Sequence, residues 1–524
     1  MLEELPETLD ETYERILRDI NKANRTHTHR LLQCLTVAVR PLRVAELAEV
    51  LAVDFETASC GATSKLNTNW RWEDQQQAVV STCSSLISVV DENDSQIVHF
   101  SHFSVKEFLT SSRLAGSSAD LSRFHIILEP AHTILAKACL GVLLRLDEHV
   151  DRYTVEEIFP LARYAAEHWV DHAQFENVSY HIREEIGNLF DPDKPYFAAW
   201  LQVHDIDTAP RYPSTLFFFG LHEKELKMAT PLYYAALCGF HDLAEHLIIK
   251  DPRQVNANSG HYVSPLGAAL SRERLDIAQL LFQHGADVDI QGYGRRTPLN
   301  AIPGDGRLEI VEWLLSHGAD SNFRSDDLYT PLHIAATEGQ VEVSRKLLQH
   351  KADQDALDSD GQTPLHLASE RGYIDVARLL LEHGVDVNAQ NSHRRTPLHM
   401  AALCGGPGGV EVTRFLLQHK ADQNALDSDG QTPLHLASER GYIDVARLLL
   451  EHGVGVDVLD INRSTALHLA SKNSRLEVAC LLLEHGADVE AEDNSGRTPL
   501  QVVSGQQRDE ITKLLSKGRI SENT

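Results

Sequence analysis

Two histidines in the N-terminal half have a spacing that could hold a metal ion. In "EHWVDHA", His168 and His172 lie four residues apart on one face of a predicted helix, and Asp171 is adjacent to the second. Such a pair can ligate zinc when a third ligand joins it. The full HExxH motif is missing and no third ligand is evident in the sequence. We therefore favour a helix packed around Trp169, with its histidines partly exposed, and predict no metal site.

Ten of the 28 histidines recur at two fixed positions of a repeated pattern. The first position follows "TPL" or its equivalent and holds His333, His366, His399, His435 and His468. The second precedes a glycine and holds His284, His317, His383, His452 and His485. Their constant position in the repeat favours a structural role for these histidines over metal binding. We expect the first set to bridge backbone groups of adjacent repeats and the second set to interact with helix C-termini.

The sequence lacks the motifs of two large classes of enzyme. GxSxG would place a nucleophilic serine on a sharp turn, and GxxxxGK followed by Ser or Thr would wrap phosphates; neither motif occurs. We therefore predict that the protein is not an enzyme and that it uses no cofactor and no small-molecule substrate.

The composition limits the partners and the compartment. The seven cysteines are scattered and form no CxxC pair, which indicates a reducing compartment; we expect the cytoplasm, with the nucleus as an open alternative. The 48 basic and 76 acidic residues give a net charge of −28, which argues against broad binding to nucleic acid or to an anionic membrane. No apolar run reaches about 18 residues, so we predict no membrane span.

A pattern with a period near 33 residues positions most of these side chains. Its "TPLH"-like landmarks begin at Thr230, Ser264, Thr297, Thr330, Thr363, Thr396, Thr432, Thr465 and Thr498. This TPLHxA signature resembles the ankyrin-repeat family, which implies stacked helix pairs with a shared core. Residues 347–385 and 416–454 are identical except for Asp355 and Asn424, which indicates a recent duplication. The duplication is either neutral copying or a device that alters a binding array.

Each repeat carries its own start and stop signals. In the copy at 358–384, Thr363 suits a helix N-cap, Pro364 suits the first helical turn, and Gly372 suits a left-handed helix end. "GGPGG" at 405–409 predicts a turn that is longer by three residues, either as a kink used in binding or as a tolerated defect. We favour the defect.

The first 200 residues have no period. "THRLLQCLTVAVRPLRVAELAEVLAVD" predicts two helices that meet at Arg40–Pro41, "LISVVDENDSQIVHFSH" predicts a hairpin, and "FSVKEFLTSSR" predicts a further helix. This order is compatible with a winged helix. The fold class predicted is mainly α: an N-terminal winged-helix/helical region followed by an ankyrin-repeat α-solenoid of about nine repeats. We predict a winged-helix-like domain at 1–125, a helical linker region at 126–224 and an ankyrin domain at 225–524.

The motifs at 5–17, 40–54, 99–111 and 161–173 resemble fungal NACHT–ankyrin proteins. In that family they lie after the nucleotide-binding module, in a segment often described as the winged helix of GPI inositol-deacylase-like proteins. The resemblance implies a setting in fungal non-self recognition or cell-death signalling. The NTPase motif of the family is missing, so we expect either a protein without the motor or the sensor end of a switch whose motor is encoded upstream. The predicted wing "DENDS" is acidic, which argues against DNA binding.

Ankyrin arrays bind protein partners through a concave surface of hairpin tips and first helices. The tips vary here while the framework does not, and they mix acidic residues with arginine and tyrosine, which suits a protein partner. The partner-binding residues that we predict are Tyr293, Arg295, Arg296, Tyr329, Asp358, Asp360, Glu370, Arg371, Arg394, Arg395, Asp427, Asp429, Glu439 and Arg440. The leading hypothesis is thus a non-catalytic interaction protein, with a nucleotide-driven switch and a GPI-processing hydrolase as alternatives.

Overall fold

The fold is described here from a computed structural model, which describes residues 9–22, 24–55, 65–66, 79, 85–92, 95–147, 149, 151, 153–207, 229–258, 260, 262–292, 295–300, 308–503 and 513. These residues are mainly helical, which confirms the predicted fold class. They fall into two compact units. The first contains Met1–His261 and Asp276–Gly285, and the second contains Tyr262–Leu275 and Ala286–Thr524.

The N-terminal part of the first unit begins with helices and a small sheet. The helices are α1 (Leu9–Asp19), α2 (Arg25–Val37), α3 (Val44–Leu51), α4 (Phe103–Leu109), α5 (Ser112–Ala115) and α6 (Ala119–Ser122). The strands are β1 (Leu42–Arg43), β2 (Val53–Asp54), β3 (Lys65–Leu66), β4 (Ile87–Glu92) and β5 (Ser95–Phe100). The two helices that we predicted on either side of Arg40–Pro41 are confirmed as α2 and α3.

The predicted hairpin is also confirmed. β4 and β5 are antiparallel with Val89 opposite Val98, and β1 adds to β5 with Leu42 opposite Val98, so the strand order is β1-β5-β4. Leu42 and Val98 are buried, whereas Val90 on the outer strand is 47% exposed. One face of this sheet therefore belongs to the core. The tip of the hairpin at 93–94 lies outside the described residues.

Helices continue through the rest of the first unit. They are α7 (Leu128–Leu143), α8 (Val155–Ile158), α9 (Ala162–Ala173), α10 (Val178–His181), α11 (Arg183–Leu189), α12 (Tyr196–Val203), α13 (Pro231–Cys238) and α14 (His241–Lys250), followed by a 3₁₀ turn at Pro252–Asn256. α8 and α9 are separated at Phe159–Leu161, where Pro160 has no backbone N–H to offer a helix.

Aromatic packing joins the first ankyrin-type helix pair to the helices before it. Trp169 of α9 is fully buried, and its ring centroid lies 5.4 Å from that of Trp200 and 5.4 Å from that of Phe240, between α13 and α14. Trp200 Nε1 donates a hydrogen bond to the Ala166 carbonyl (3.0 Å), so the buried indole nitrogen is satisfied. Each aromatic side chain removed from water contributes roughly 1.5–3 kcal/mol. The cluster therefore holds α9, α12 and the α13–α14 pair in one core.

Helix pairs fill the rest of the array. They are α15 (Pro265–Ser271), α16 (Leu275–Gln283), α17 (Leu308–Ser316), α18 (Pro331–Glu338), α19 (Val341–Gln349), α20 (Pro364–Arg371), α21 (Ile374–Glu382), α22 (Pro397–Leu403), α23 (Pro407–Gln418), α24 (Pro433–Arg440), α25 (Ile443–Glu451), α26 (Ala466–Lys472) and α27 (Leu476–Glu484). A 3₁₀ turn, Pro298–Asn300, begins the third repeat. Residues 504–512 and 514–524, at the end of the last repeat, lie outside the described residues.

The predicted start and stop signals of the repeats are confirmed. Thr330 is the N-cap of α18, and its side chain accepts a hydrogen bond from the His333 backbone N–H (3.4 Å). Proline follows it at the first helical position. Gly339 and Gly372 end their helices with φ near +75°, a left-handed conformation that glycine adopts without strain. Short, well-capped helices therefore follow from local chemistry.

The insertion at 405–409 extends a helix, and our expectation of a turn longer by three residues is wrong. α23 has 12 residues where α21 and α25 have nine, while the connection before it grows by only one residue, 404–406 against 372–373. Pro407 begins the helix, where its missing N–H costs nothing. A Cβ on Gly408 would lie 2.7 Å from the Gly372 carbonyl oxygen, so only glycine fits. The insertion is closely packed against its neighbour, unlike a loosely tolerated defect.

Candidate partner-binding surface

Backbone hydrogen bonds tie consecutive tips into a continuous strip. Each tip is a five-residue turn, such as 325–329, 358–362 or 391–395. In each step the second residue of one tip donates its N–H to the carbonyl of the third residue of the preceding tip. The bonds are Ser359 to Asp327 (3.0 Å), Ser392 to Asp360 (2.9 Å), Ser428 to His393 (2.8 Å), Ile461 to Asp429 (3.0 Å) and Asn494 to Asn462 (2.9 Å). Because the backbone is fixed in this way, side chains on the strip project at a constant repeat. A rigid strip of variable side chains is well suited to recognition.

The first residue of each tip holds the tip together from within. Asp358 Oδ1 accepts hydrogen bonds from the N–H groups of Asp360 (2.9 Å) and Gln362 (2.7 Å). Asp427 does the same in the second copy, with both distances at 2.9 Å. Asn391 makes the same two bonds through its amide oxygen, so the turn needs an oxygen acceptor and no charge.

The structure sorts the predicted contact residues by exposure. Seven are exposed: Arg295, Asp360, Glu370, Arg371, Arg394, Asp429 and Arg440. Four are half-buried: Arg296, Tyr329, Arg395 and Glu439. Asp358 and Asp427 are buried in the turns described above, and Tyr293 lies outside the described residues. The role of these residues in partner binding stays a prediction, but the buried Asp358 and Asp427 cannot meet a partner without rearrangement.

The histidines that follow "TPL" bridge adjacent repeats, as predicted. His366 Nδ1 accepts a hydrogen bond from the Thr363 backbone N–H (3.1 Å), and Nε2 donates to the Arg395 carbonyl of the next repeat (2.9 Å). The other members bond to the Gln362, Gln431, Ser464 and Arg497 carbonyls at 3.0–3.2 Å. Burial lowers the pKa of His333 and His366 to about 4, so both are neutral at pH 7.

The second set of histidines closes helix ends, which confirms that prediction for four of its five members. Nδ1 of each donates to the carbonyl four residues earlier: His317 to Trp313 (2.7 Å), His383 to Leu379 (2.8 Å), His452 to Leu448 (2.8 Å) and His485 to Leu481 (2.9 Å). These carbonyls belong to the last turn, where helical partners run out. The bonds account for the fixed register without any metal.

The ring nitrogens of His172 are both engaged within the protein. Nε2 lies 2.9 Å from the Tyr164 hydroxyl and Nδ1 lies 2.9 Å from His132 Nδ1. Burial lowers the pKa of His172 to about 3, so the ring stays neutral. His168 instead pairs with Asp171 (3.0 Å) at the helix surface. The two histidines therefore do not share a site, and no group of three or more potential metal ligands occurs in the described part of the chain.

One ion pair on the strip was not anticipated from the sequence. Arg395 Nε donates to Asp427 Oδ2 (3.1 Å), a contact between neighbouring repeats, and the Asp427 side chain is 1% exposed. The only signal for it is the last tip letter, which reads Arg at 296, Tyr at 329 and Arg at 395. At Arg395 that letter faces the first letter of the next tip, 32 residues on, so a repeat alignment could have found the pair. None of the described helices is long and apolar enough to cross a membrane.

Comparison with known families finds matches in both halves of the chain. Ankyrin repeats (3 copies) match residues 299–391 and 386–460, and ankyrin repeats (many copies) match 449–503. The winged helix domain of GPI inositol-deacylase matches residues 14–121. The last match begins within α1, ends within α6 and contains the β1-β5-β4 sheet.

Two relatives share part of the sequence. The azaphilone pigments biosynthesis cluster protein L of Monascus ruber is 33% identical over 302 residues, which cover 55% of this chain and 61% of that protein. The alpha-latrocrustotoxin-Lt1a of Latrodectus tredecimguttatus is 33% identical over 69 residues, which cover 13% of this chain and 5% of the toxin. The chain thus carries an array of ankyrin repeats preceded by a segment that matches the winged helix of GPI inositol-deacylase.

Proposed function

We propose that this protein is a non-catalytic interaction protein whose ankyrin array holds partner proteins on its strip of tips. The observation that carries the proposal is the tip ladder: one backbone hydrogen bond per repeat fixes a row of exposed side chains of both charges. Binding to such a surface costs little ordering entropy because the backbone is already fixed. A mixed-charge surface suits a protein partner better than a polyanion.

Site-specific photocrosslinking tests this proposal. A benzoylphenylalanine placed at Arg394 or Asp429, which are exposed on the strip, should give discrete protein adducts in the native host. The same group at Glu382, exposed near the end of the second helix of a repeat, is the matched control and should give none. Adducts of equal yield at all three positions, or none at either strip position, would contradict a binding role for the strip.

We further propose that the setting is signalling in a fungus, with the N-terminal helical region relaying the binding event. The support is the ordered set of NACHT–ankyrin-like motifs over the first 173 residues, together with the similarity to a Monascus protein. The aromatic cluster that joins α9 and α12 to the first helix pair supplies a rigid connection within that unit. Mutating Trp169 should uncouple any downstream response from crosslinking on the strip.

The nucleotide-switch alternative depends on sequence outside the printed chain. Reading the complete transcript tests it, because an in-frame P-loop upstream would make this chain the sensor end of an ATP- or GTP-driven switch. An absence of such a P-loop would favour the adaptor.

The hydrolase alternative can be tested at a serine–histidine contact in the winged-helix segment. Ser104 Oγ lies 2.7 Å from His102 Nδ1 and 2.7 Å from the Tyr13 hydroxyl. The same Nδ1 accepts the Ser104 backbone N–H at the start of α4 (3.3 Å), so the imidazole acts as a helix cap. We expect no hydrolysis of GPI or simple esters by the purified protein. Turnover that disappears in Ser104→Ala would overturn the non-catalytic proposal.

A further inference from the structure

The two identical tips Asp-Ser-Asp-Gly-Gln, at 358–362 and 427–431, face different residues of the preceding repeat. In the second copy Arg395 Nε binds Asp427 Oδ2, so both oxygens of this buried carboxylate have partners. In the first copy the corresponding residue is Tyr329. The chain therefore contains the same tip twice, once with a guanidinium beside its buried carboxylate and once without.

The first copy has an unsatisfied carboxylate oxygen. Asp358 is 4% exposed, and its Oδ1 makes the same two backbone hydrogen bonds as that of Asp427. Its Oδ2 is buried without a hydrogen-bond partner, as is Gln362 Oε1 in the same tip. The Tyr329 hydroxyl interacts with this carboxylate closely enough to favour its charged form, but it lies outside hydrogen-bond geometry of Oδ2. A buried acceptor without a donor is unfavourable, and a ligand that supplies the donor would remove that penalty.

Further carboxylates surround Tyr329. Asp327, Asp358, Asp360 and Glu370 are all close enough to raise the pKa of its hydroxyl, to about 12 together with burial. Asp360 and Glu370 are exposed, and the half-buried Arg296 interacts with the charge of Asp327. The local field is therefore negative around a tyrosine ring, which is an arrangement that attracts cations.

We propose that Tyr329, Asp358, Asp360 and Glu370 form a pocket, the Tyr329 pocket, that binds the guanidinium of an arginine on a protein partner. The incoming group takes the place that Arg395 takes beside Asp427, with the Tyr329 ring turning outward to uncover Oδ2. A guanidinium fits better than an ammonium because its planar fork can donate to two carboxylates and stack on the ring. This inference rests on the proposed binding function and names the chemistry that the strip recognises.

A fluorine reporter on the full chain tests the pocket directly. With 3-fluorotyrosine at position 329 alone, N-acetyl-argininamide at low salt should shift the ¹⁹F signal saturably, and neutral, nearly isosteric N-acetyl-citrullinamide should not. The same label at Tyr442 controls for general attraction of cations to an acidic protein. Equal shifts with the two ligands, or equal shifts at the two labels, would overturn the proposal.

Matched variants of the two copies assign the binding to Asp358. Asp358→Asn should weaken argininamide binding about tenfold, whereas Asp427→Asn should change it less than twofold. Asn391 shows that asparagine keeps the turn intact, so neither variant should unfold its tip. Glu370→Gln, at an exposed position with Glu439→Gln as its match, should weaken binding by a smaller factor. Equal affinity of Asp358→Asn and Asp427→Asn for argininamide would contradict the Tyr329 pocket. Crosslinks elsewhere on the strip would still support the proposed function in that case.

Discussion

The two copies of the duplicated block, 347–385 and 416–454, have the same internal structure and different surroundings. Their helices have equal lengths, and the residue before the second helix has the same backbone angles in both, φ −85° and ψ 84° at Tyr373 and Tyr442. The preceding repeat, however, offers Tyr329 to one copy and Arg395 to the other. The following repeat places the backbone of Gly408 against one and the Arg475 side chain against the other. Local sequence therefore determines the repeat itself, and its neighbours determine the chemistry of its surface.

The largest difference between the copies should appear at the glycine that ends the first helix. Gly372→Ala and Gly441→Ala both place a Cβ at positive φ, which costs about 1–2 kcal/mol. The new Cβ at 372 would lie 3.0 Å from Gly408 backbone carbon, which cannot move alone. At 441 it would lie 2.7 Å from Arg475 Cδ, a flexible side chain that can swing away. We expect a cost of about 3 kcal/mol at 372 and about 1–2 kcal/mol at 441.

Urea unfolding followed by hydrogen exchange would measure this pair, because exchange resolves individual repeats of an array that need not unfold as one unit. Arg475→Ala serves as the control for loss of the arginine contact alone. If the two glycine variants instead lower the unfolding free energy by the same amount, the contact with the Gly408 backbone adds no cost at Gly372. The surroundings of the two copies would then matter less than we argue.

The second prediction concerns the bridging histidines, which titrate. Burial holds the pKa of His366 at about 4 in the folded state, below the ordinary value of 6.5, and also lowers that of His435. As the pH falls, the unfolded chain therefore binds the proton first. The stabilising contribution of each histidine is complete above pH 6.5 and is lost as the pH falls toward 4. For His366, the loss between pH 7 and pH 5 is on the order of 1–2 kcal/mol.

Asparagine at the position of a bridging histidine should make equivalent hydrogen bonds without titrating. At the equivalent position of the third repeat, Asn300 donates to the Tyr329 carbonyl (3.3 Å) and accepts from Thr297 Oγ1 (2.7 Å). His366→Asn and His435→Asn should each flatten the fall in unfolding free energy between pH 7 and pH 5, by similar amounts. Urea titrations at both pH values check this. An effect confined to one copy would show that the neighbouring repeats alter the stabilising contribution of the bridging histidine as well as the chemistry of the surface.

Much of this architecture could be predicted because it depends on contacts within one repeat or on contacts that recur in every repeat. The threonine caps, the glycine ends and the histidine bridges are of this kind. The Arg395–Asp427 pair was missed because it joins residues of two different tips and does not recur in the first copy of the block, which has Tyr329 in place of Arg395. The contact between His132 and His172 was missed because α7 and α9 have no period to relate them. The location of the "GGPGG" insertion was wrong because proline can begin a helix as well as interrupt one.

The third prediction is that the same Asp→Asn substitution changes the unfolding free energy in opposite directions in the two copies. Asp358→Asn removes a buried charge whose Oδ2 has no partner and whose pKa burial raises, so the folded state should become about 1 kcal/mol more stable. Asp427→Asn removes the charge that pairs with Arg395 and should cost about 1–2 kcal/mol. Thermal unfolding and exchange at the two tips would measure both. The comparison fails if the two substitutions change stability in the same direction.

The smallest effect is expected at the single position where the copies differ. Asn424 Oδ1 accepts the Gly455 N–H (3.2 Å), and Asp355 accepts the Asp386 N–H in the corresponding place. Burial and the neighbouring Asp353 raise the pKa of Asp355, so its charge is not favoured there. Asp355→Asn makes the two blocks identical and should change the unfolding free energy by less than about 0.5 kcal/mol. If the substitution also leaves the exchange rates at both tips unaltered, the remaining differences between the copies must come from Tyr329, Arg395 and the residues that follow each block. A larger change would mean that the block itself, and not its surroundings, distinguishes the two copies.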